Sequence, residues 1–176
     1  MANRLALREL QIRLAERLQA ARTQGVTPSW LAVLAGGKNY LFPMEQASEI
    51  FPWVAIQAVP YTHAWFLGVA NLRGGLFGVV DLASYITGQN TQVKTEQANK
   101  ESCLVALNNA FDMNCALFID QLAGLRNQEA FSGFLEKSTD APEFFGHQYV
   151  DHKRVIWQEI NLQVLAQQTD FLTITA

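Results

Sequence analysis

Apolar residues at Leu7, Leu10, Leu14, Leu18 and Ala21 follow spacings of 3, 4, 4 and 3, the stripe of an amphipathic helix. Glu9 lies four residues before Arg13, the order in which such a pair supports a helix. Gly25 and Pro28 end the pattern, so the first helix is expected over residues 1–25. After Pro28 the period shortens. Trp30 to Ala35 is an apolar run, Gly36-Gly37-Lys38-Asn39 reads as a turn, and Tyr40 to Pro43 as the return strand of a hairpin. Strands are expected again at Trp65 to Leu72 and Leu76 to Val80, with Arg73-Gly74-Gly75 between them. A Gln-, Asn- and Thr-rich stretch, residues 87–100, reads as an exposed loop. Beyond it, strand patterns recur at Cys103 to Leu107, Met113 to Ile119, Leu122 to Leu125, Gln148 to Val150 and Val155 to Ile160. Leu162, Leu165 and Ala166 fit one side of a short helix at 161–168. Short strands joined by tight turns indicate a barrel or a sandwich, here as two β-rich halves with a helix at each end.

Composition narrows the function. Of 176 residues, 49% are apolar and 16% charged, enough for a core and too little charge for disorder. Net charge is −3, against a general nucleic-acid binder, which needs a basic surface. The charge is uneven: residues 1–24 carry five Arg and two Glu, net +3, and residues 25–176 carry 8 basic and 14 acidic residues, net −6. The first helix could pack its stripe on the body, dock a partner or lie on a membrane surface; the stripe lacks the Trp or Phe common in interfacial helices. Cys103 and Cys115 sit inside apolar runs and read as reduced core thiols. No apolar stretch is long enough to cross a bilayer and the start has no secretory pattern, so a cytoplasmic location is expected.

Catalytic signatures are missing. There is no Gly-x-Ser-x-Gly elbow and no His-Glu-x-x-His pair. Ala35-Gly36-Gly37-Lys38 lacks the upstream Gly and the following Ser or Thr of a phosphate loop, and Gly74, Gly75 and Gly78 are not spaced as a dinucleotide fingerprint. His63, His147 and His152 read as surface residues, and Asp81, Asp112 and Asp120 are too far apart in sequence to suggest a carboxylate pair. With an acidic body, the four Trp and eleven Phe point to core and interface roles rather than base stacking.

One segment is more specific. Residues 68–82 read Gly-Val-Ala-Asn-Leu-Arg-Gly-Gly-Leu-Phe-Gly-Val-Val-Asp-Leu: a strand, a glycine-permitted turn, a return strand and a helix start for which Asp81 is a fitting N-cap. Asn71 suits a backbone-bonding turn position and Gly74 a positive φ. This stretch resembles the CheW-like family of chemotaxis coupling proteins, whose signature is Gly-Val-x-Asn-Leu-Arg-Gly, a short apolar strand and Asp-Leu. Ala47-Ser48-Glu49-Ile50 with Val59-Pro60 upstream, and Ala116-Leu117-Phe118-Ile119-Asp120 downstream, are similar to further segments of that family. Gly78, where the family often has Pro, and the Arg-rich lead depart from its pattern.

The resemblance implies a mainly β fold of two five-stranded SH3-like barrels packed side by side, placed at about 29–86 and 101–160 within a domain at 26–170. It implies a non-enzymatic adaptor, without cofactor or metal, that couples the cytoplasmic tip of a chemoreceptor to the regulatory domain of a CheA-type histidine kinase. Membrane association would be indirect, through the receptor, and no nucleic acid is involved. The Arg-rich lead and divergent second half bring the chain nearest to coupling proteins of type IV pilus twitching systems; a flagellar coupling protein is the alternative. In the family a receptor helix docks between the barrels and the kinase domain packs barrel end to barrel end. Glu49 and Arg73 match family positions expected to pair, while Ile50, Asn71, Gly74, Asp81 and Asp120 are the other partner-binding or site-shaping candidates. Ile50, Phe51 and Trp53 fit an interface patch or core equally. The rival reading, a small enzyme, requires a concave pocket with titratable groups of shifted pKa near Asp81, Asp120 or His63.

Overall fold

The computed structural model describes residues 12–15, 29–89 and 100–176. Of the expected first helix, residues 12–15 are helical (α1); the remainder lies outside the described residues, as does 90–99 of the expected loop. The strands are β1 (Trp30–Ala35), β2 (Lys38–Pro43), β3 (Ala47–Pro52), β4 (Phe66–Leu72), β5 (Gly75–Asp81), β6 (Cys103–Leu107), β7 (Cys115–Ile119), β8 (Gln121–Arg126), β9 (Phe131–Leu135), β10 (Phe145–Asp151) and β11 (Ile156–Ile160). Helix α2 (Leu82–Thr87) follows β5, and α3 (Leu162–Gln167) and α4 (Thr169–Leu172) follow β11. The strands form a six-stranded sheet in the order β8-β1-β2-β11-β10-β9 and a five-stranded sheet in the order β3-β6-β7-β5-β4.

The boundary expected at the polar loop is therefore not the boundary between sheets. The hairpin β1–β2 joins the late strands by a parallel pairing of β2 with β11, and β6–β7 joins the early strands by a parallel pairing of β5 with β7. The physical reason is burial on two faces. Every residue of β6 and β7 is buried, so these strands belong inside a sheet with a neighbour on each edge. Parallel pairing between strands remote in the chain supplies that neighbour, and local turn patterns carry no trace of it.

Alternation along these strands sorts their side chains into different cores. Leu31, Val33 and Ala35 of β1, with Cys103, Val105 and Leu107 of β6, enter one cluster shared by both sheets. Ala32 and Leu41 instead join Trp157 against the six-stranded sheet's other face, where Trp30, Phe131 and Tyr149 pack. Leu104, Ala106, Ala116 and Phe118 form the corresponding cluster of the five-stranded sheet. Cys103 and Cys115 are free thiols in the shared core, where burial pushes both up to about 12.

The two sheets repeat one plan. In each, an antiparallel hairpin (β4–β5 or β10–β11) runs into a short helix, lies parallel to the second strand of another hairpin, and is followed across the sheet by one more antiparallel strand. The helix caps match closely: Asp81 sits at φ −76°, ψ 104° and Asn161 at φ −80°, ψ 101°, each side chain accepting a backbone N–H of its helix. Leu82 and Leu162, the residues after the caps, are both fully buried. Strand β9 is an addition at one edge and, with α4, was not legible as a sequence pattern: Ser132-Gly133 interrupts its apolar residues.

Turns differ in detail from expectation. The first hairpin turns on Gly36-Gly37 alone, at φ 56° and 74°, and Lys38 and Asn39 pair with Ala35 and Leu34 in the ladder. The turn after β10 is built by Asp151, whose carboxylate accepts from the backbone N–H groups of Lys153 and Val155 at 2.8 and 2.9 Å and from the Trp157 indole at 3.1 Å. Desolvation pushes this carboxyl upward, but the hydrogen bonds and the nearby Lys153 outweigh it and hold its pKa below the ordinary 3.8. A depressed folded-state pKa gives stability that is present above the unfolded value and lost as pH falls through the folded one. The urea midpoint of the native chain should thus exceed that of Asp151→Asn at neutral pH, and the gap should close on acidification below the ordinary aspartate range; a pH-independent gap would contradict this.

Candidate functional site

The predicted site residues separate into two groups. Asn71, Arg73 and Gly74 form the turn between β4 and β5, and Glu49 and Ile50 lie on β3. Strands β3 and β4 are the opposite edges of the five-stranded sheet, yet Arg73 Nη2 lies 2.7 Å from Glu49 Oε1. The sheet is therefore curled, with this ion pair joining its two ends. Closure continues along the chain: Gln57, just after β3, exchanges backbone hydrogen bonds of 2.8 and 2.9 Å with Val69 of β4.

Local sequence makes the closure sterically feasible. Gly68 sits at φ 133°, and a Cβ there would meet the Gln57 carbonyl oxygen at 2.1 Å, so only glycine allows the two segments to approach. Asn71 Oδ1 accepts the Gly74 N–H at 2.9 Å, which fixes the turn and holds Arg73 at φ 50° facing Glu49. The side chains are 75% and 31% exposed for Arg73 and Glu49, less shielded than a buried pair. In such a setting an ion pair contributes under ~1 kcal/mol to folding. Its effect is geometric: it sets the position of a cation and an anion at the rim of the sheet.

Asp81 and Asp120 belong to neither rim nor pair. Asp81 stands at the far end of β5 from Arg73, about 20 Å away by strand rise over seven residues. It is buried, caps α2 through Ala83 N–H at 3.2 Å and accepts the Ser84 hydroxyl at 2.5 Å. Asp120 Oδ2 accepts the Gly36 N–H at 2.7 Å and so ties the end of β7 to the turn of the first hairpin. Gly36 must itself lack a side chain, because its Cβ would stand 2.7 Å from the Ala83 Cβ. Asp120 thus joins the two sheets, whereas the Asp81 carboxylate holds the start of its own helix.

Beside Glu49 a cavity of about 250 Å³ opens between the sheets. Leu31 of β1 and Leu125 of β8 line it from one sheet, Ala47 and Ile50 of β3 from the other, and Met44 from the link between them. Leu14 and Ala15 of α1 line it as well. Of the lining residues, Glu49 and Ile50 were singled out in sequence as site candidates; Leu14 was visible as the middle of the helical stripe, and Leu31 and Leu125 read as ordinary strand residues. Among the described residues, the groups with clearly displaced pKa values are Tyr40, Tyr85, Cys103, Cys115, Tyr149 and Asp151, and none lines this cavity. No helix among the described residues is long and apolar enough to cross a membrane.

Replacing Gly68 by Ala should cost ~3 kcal/mol or more, because the new methyl meets backbone that is itself hydrogen-bonded. Gly74→Ala, where nothing stands within 4 Å, should cost about 1–2 kcal/mol, the strain of its positive φ alone. Chemical denaturation of both variants checks this order, and equal losses would refute the closure argument.

Comparison with known proteins places this architecture. The model of the CheW-like domain family matches residues 29–137. Protein PilI of Pseudomonas aeruginosa is 25% identical over 164 residues, 92% of this chain and 88% of that protein. The crystal structure of scaffolding protein TtCheW from Thermoanaerobacter tengcongensis superposes with a TM-score of 0.58 at 18% identity, over 76% of this chain and 89% of that one, a likeness of fold.

Proposed function

The chain belongs to the CheW-like domain family, and from that premise we propose that it is a non-catalytic coupling scaffold of a chemosensory array, joining a chemoreceptor tip to the regulatory domain of a CheA-type histidine kinase. The observation that carries the reading is the Glu49–Arg73 pair at 2.7 Å, which closes the five-stranded sheet beside an apolar groove between the sheets. A scaffold needs surfaces held in fixed relation, and the two features share Glu49 of β3, which pairs with Arg73 and lines the groove. The groove has the apolar lining that an amphipathic helix requires, and the rim offers a paired cation and anion to a second protein. The remaining candidates support these surfaces: Ile50 within the groove, Asn71 and Gly74 behind Arg73, Asp81 at the cap of α2 and Asp120 at the junction between the sheets.

The array we assign is that of type IV pilus twitching motility, supported by the similarity to Protein PilI along 92% of the chain. The place of action would be cytoplasmic, at receptor arrays on the inner face of the membrane. The domain assignment follows the resemblance over residues 26–170, with the segment 1–25 as an appendage.

Calorimetric titration with the regulatory domain of the CheA-type kinase from the same cell tests the reading. Micromolar binding is expected for the native chain. Glu49→Arg or Arg73→Glu alone should weaken it at least tenfold, as like charges then meet at the rim. The double reversal restores the pair in opposite sense and should return to within about threefold of native affinity if the pair acts by fixing rim geometry. Urea midpoints of all three variants should stay near native, since so exposed a pair contributes little to folding. Absence of kinase binding at tens of micromolar would reduce the family resemblance to fold alone, and unrescued single variants would remove the pair from the interface.

A further inference from the structure

The groove between the sheets is not empty of protein. Leu14 and Ala15 of α1 line it together with Leu31, Met44, Ile50 and Leu125. Leu14 is the centre of the stripe Leu7, Leu10, Leu14, Leu18 and Ala21, and it is partly covered. Ile12, two residues earlier and so on the opposite side of the helix, is 53% exposed. The described turn of helix thus presents Leu14 to the groove. Charge agrees with this placement: residues 1–24 carry net +3, the body from residue 25 onward carries −6, and Glu49 stands at the cavity.

We propose that the Leu14-bearing N-terminal segment of this chain is the resident occupant of the groove between the sheets, and that a partner's amphipathic helix enters by displacing it. The second half rests on the receptor-docking function proposed above; the first does not. The contact is loose by construction. Leu14 is only partly covered, and about 250 Å³ of the groove beside it stays open. A weakly held cap suits exchange: it shields Leu31, Ile50 and Leu125 while the partner is absent, and it lowers apparent affinity only by the fraction of molecules in which the groove is occupied.

The test uses the full chain with a nitroxide on Ile12→Cys, which is exposed and off the stripe. Native Cys103 and Cys115 stay unlabelled, being buried with thiols pushed up to about 12. Paramagnetic broadening is expected at the methyls of Leu31, Ile50 and Leu125, and not at Leu135 on β9, four strands away from β1 across the sheet. Leu14→Glu should abolish the broadening, and Leu14→Met should keep it. In parallel, a synthetic helical peptide spanning the receptor tip should bind the Leu14→Glu chain on the order of fivefold more tightly than the native chain, the gain expected from removing a modest competitor. No broadening in the native background overturns the docked helix, whichever partner binds. Broadening with unchanged peptide affinity overturns displacement. Broadening with no peptide binding to either chain upholds the docked helix and overturns both displacement and the receptor-docking function.

Discussion

The strands at the centre of both sheets are buried on both faces, and most of the architecture follows from that constraint. A strand such as β6, with Cys103, Val105 and Leu107 in the shared core and Leu104 and Ala106 in its own sheet's core, cannot stand at an edge or over solvent. It needs a neighbour on each side and a packing layer above and below. The parallel pairings β2 with β11 and β5 with β7 meet that need, and they interleave the early and late parts of the chain. Each fully buried Leu, Val or Phe in these cores contributes about 1.5–3 kcal/mol, so the fold is held by burial and not by the exposed Glu49–Arg73 pair.

Stability and the charged rim are thereby carried by different residues. Because the shared core fixes the sheets, the rim of the five-stranded sheet is free to carry charges whose loss costs the fold little. The closure at Gly68 and Gln57 belongs to the first category and the Glu49–Arg73 pair to the second, although the two lie on the same curled sheet. Asp81 and Asp120, expected as partner-binding or site-shaping residues, both accept backbone N–H groups, Asp81 at the start of α2 and Asp120 from the turn of the first hairpin.

Much of this was legible in sequence, for identifiable reasons. Hairpins follow from apolar alternation around Gly-containing turns, and the Asp81 cap follows from a short acceptor placed before an apolar helix, so these signals are local. The Asn71-to-Gly74 turn is a local signal too, but the meeting of Glu49 with Arg73 came through the family resemblance, and spacing alone would not have brought residues 24 apart in sequence to a 2.7 Å contact. The division into two barrels along the chain failed because parallel pairing leaves no local mark. The first turn was read two residues too long, because Lys38 and Asn39 are polar yet pair in the ladder at the exposed end of the hairpin. The groove stayed hidden because Leu31, Met44 and Leu125 come from three separate parts of the chain and have nothing in common but position.

The repeated plan of the two sheets bears on how one small chain could serve two different partners. Matching caps at Asp81 and Asn161 and matching parallel pairings give two ends of similar shape. Their turns differ in chemistry. After β4, Asn71 satisfies the backbone and leaves Arg73 directed at a carboxylate on another strand, a charged rim that a partner's charges can read. After β10, Asp151 spends its acceptors on Lys153, Val155 and Trp157, so that turn is closed on itself. Two like folds thus carry unlike rims. Specificity is a difference between affinities, and an unmatched charge pattern at one of two similar ends is a direct way to create that difference.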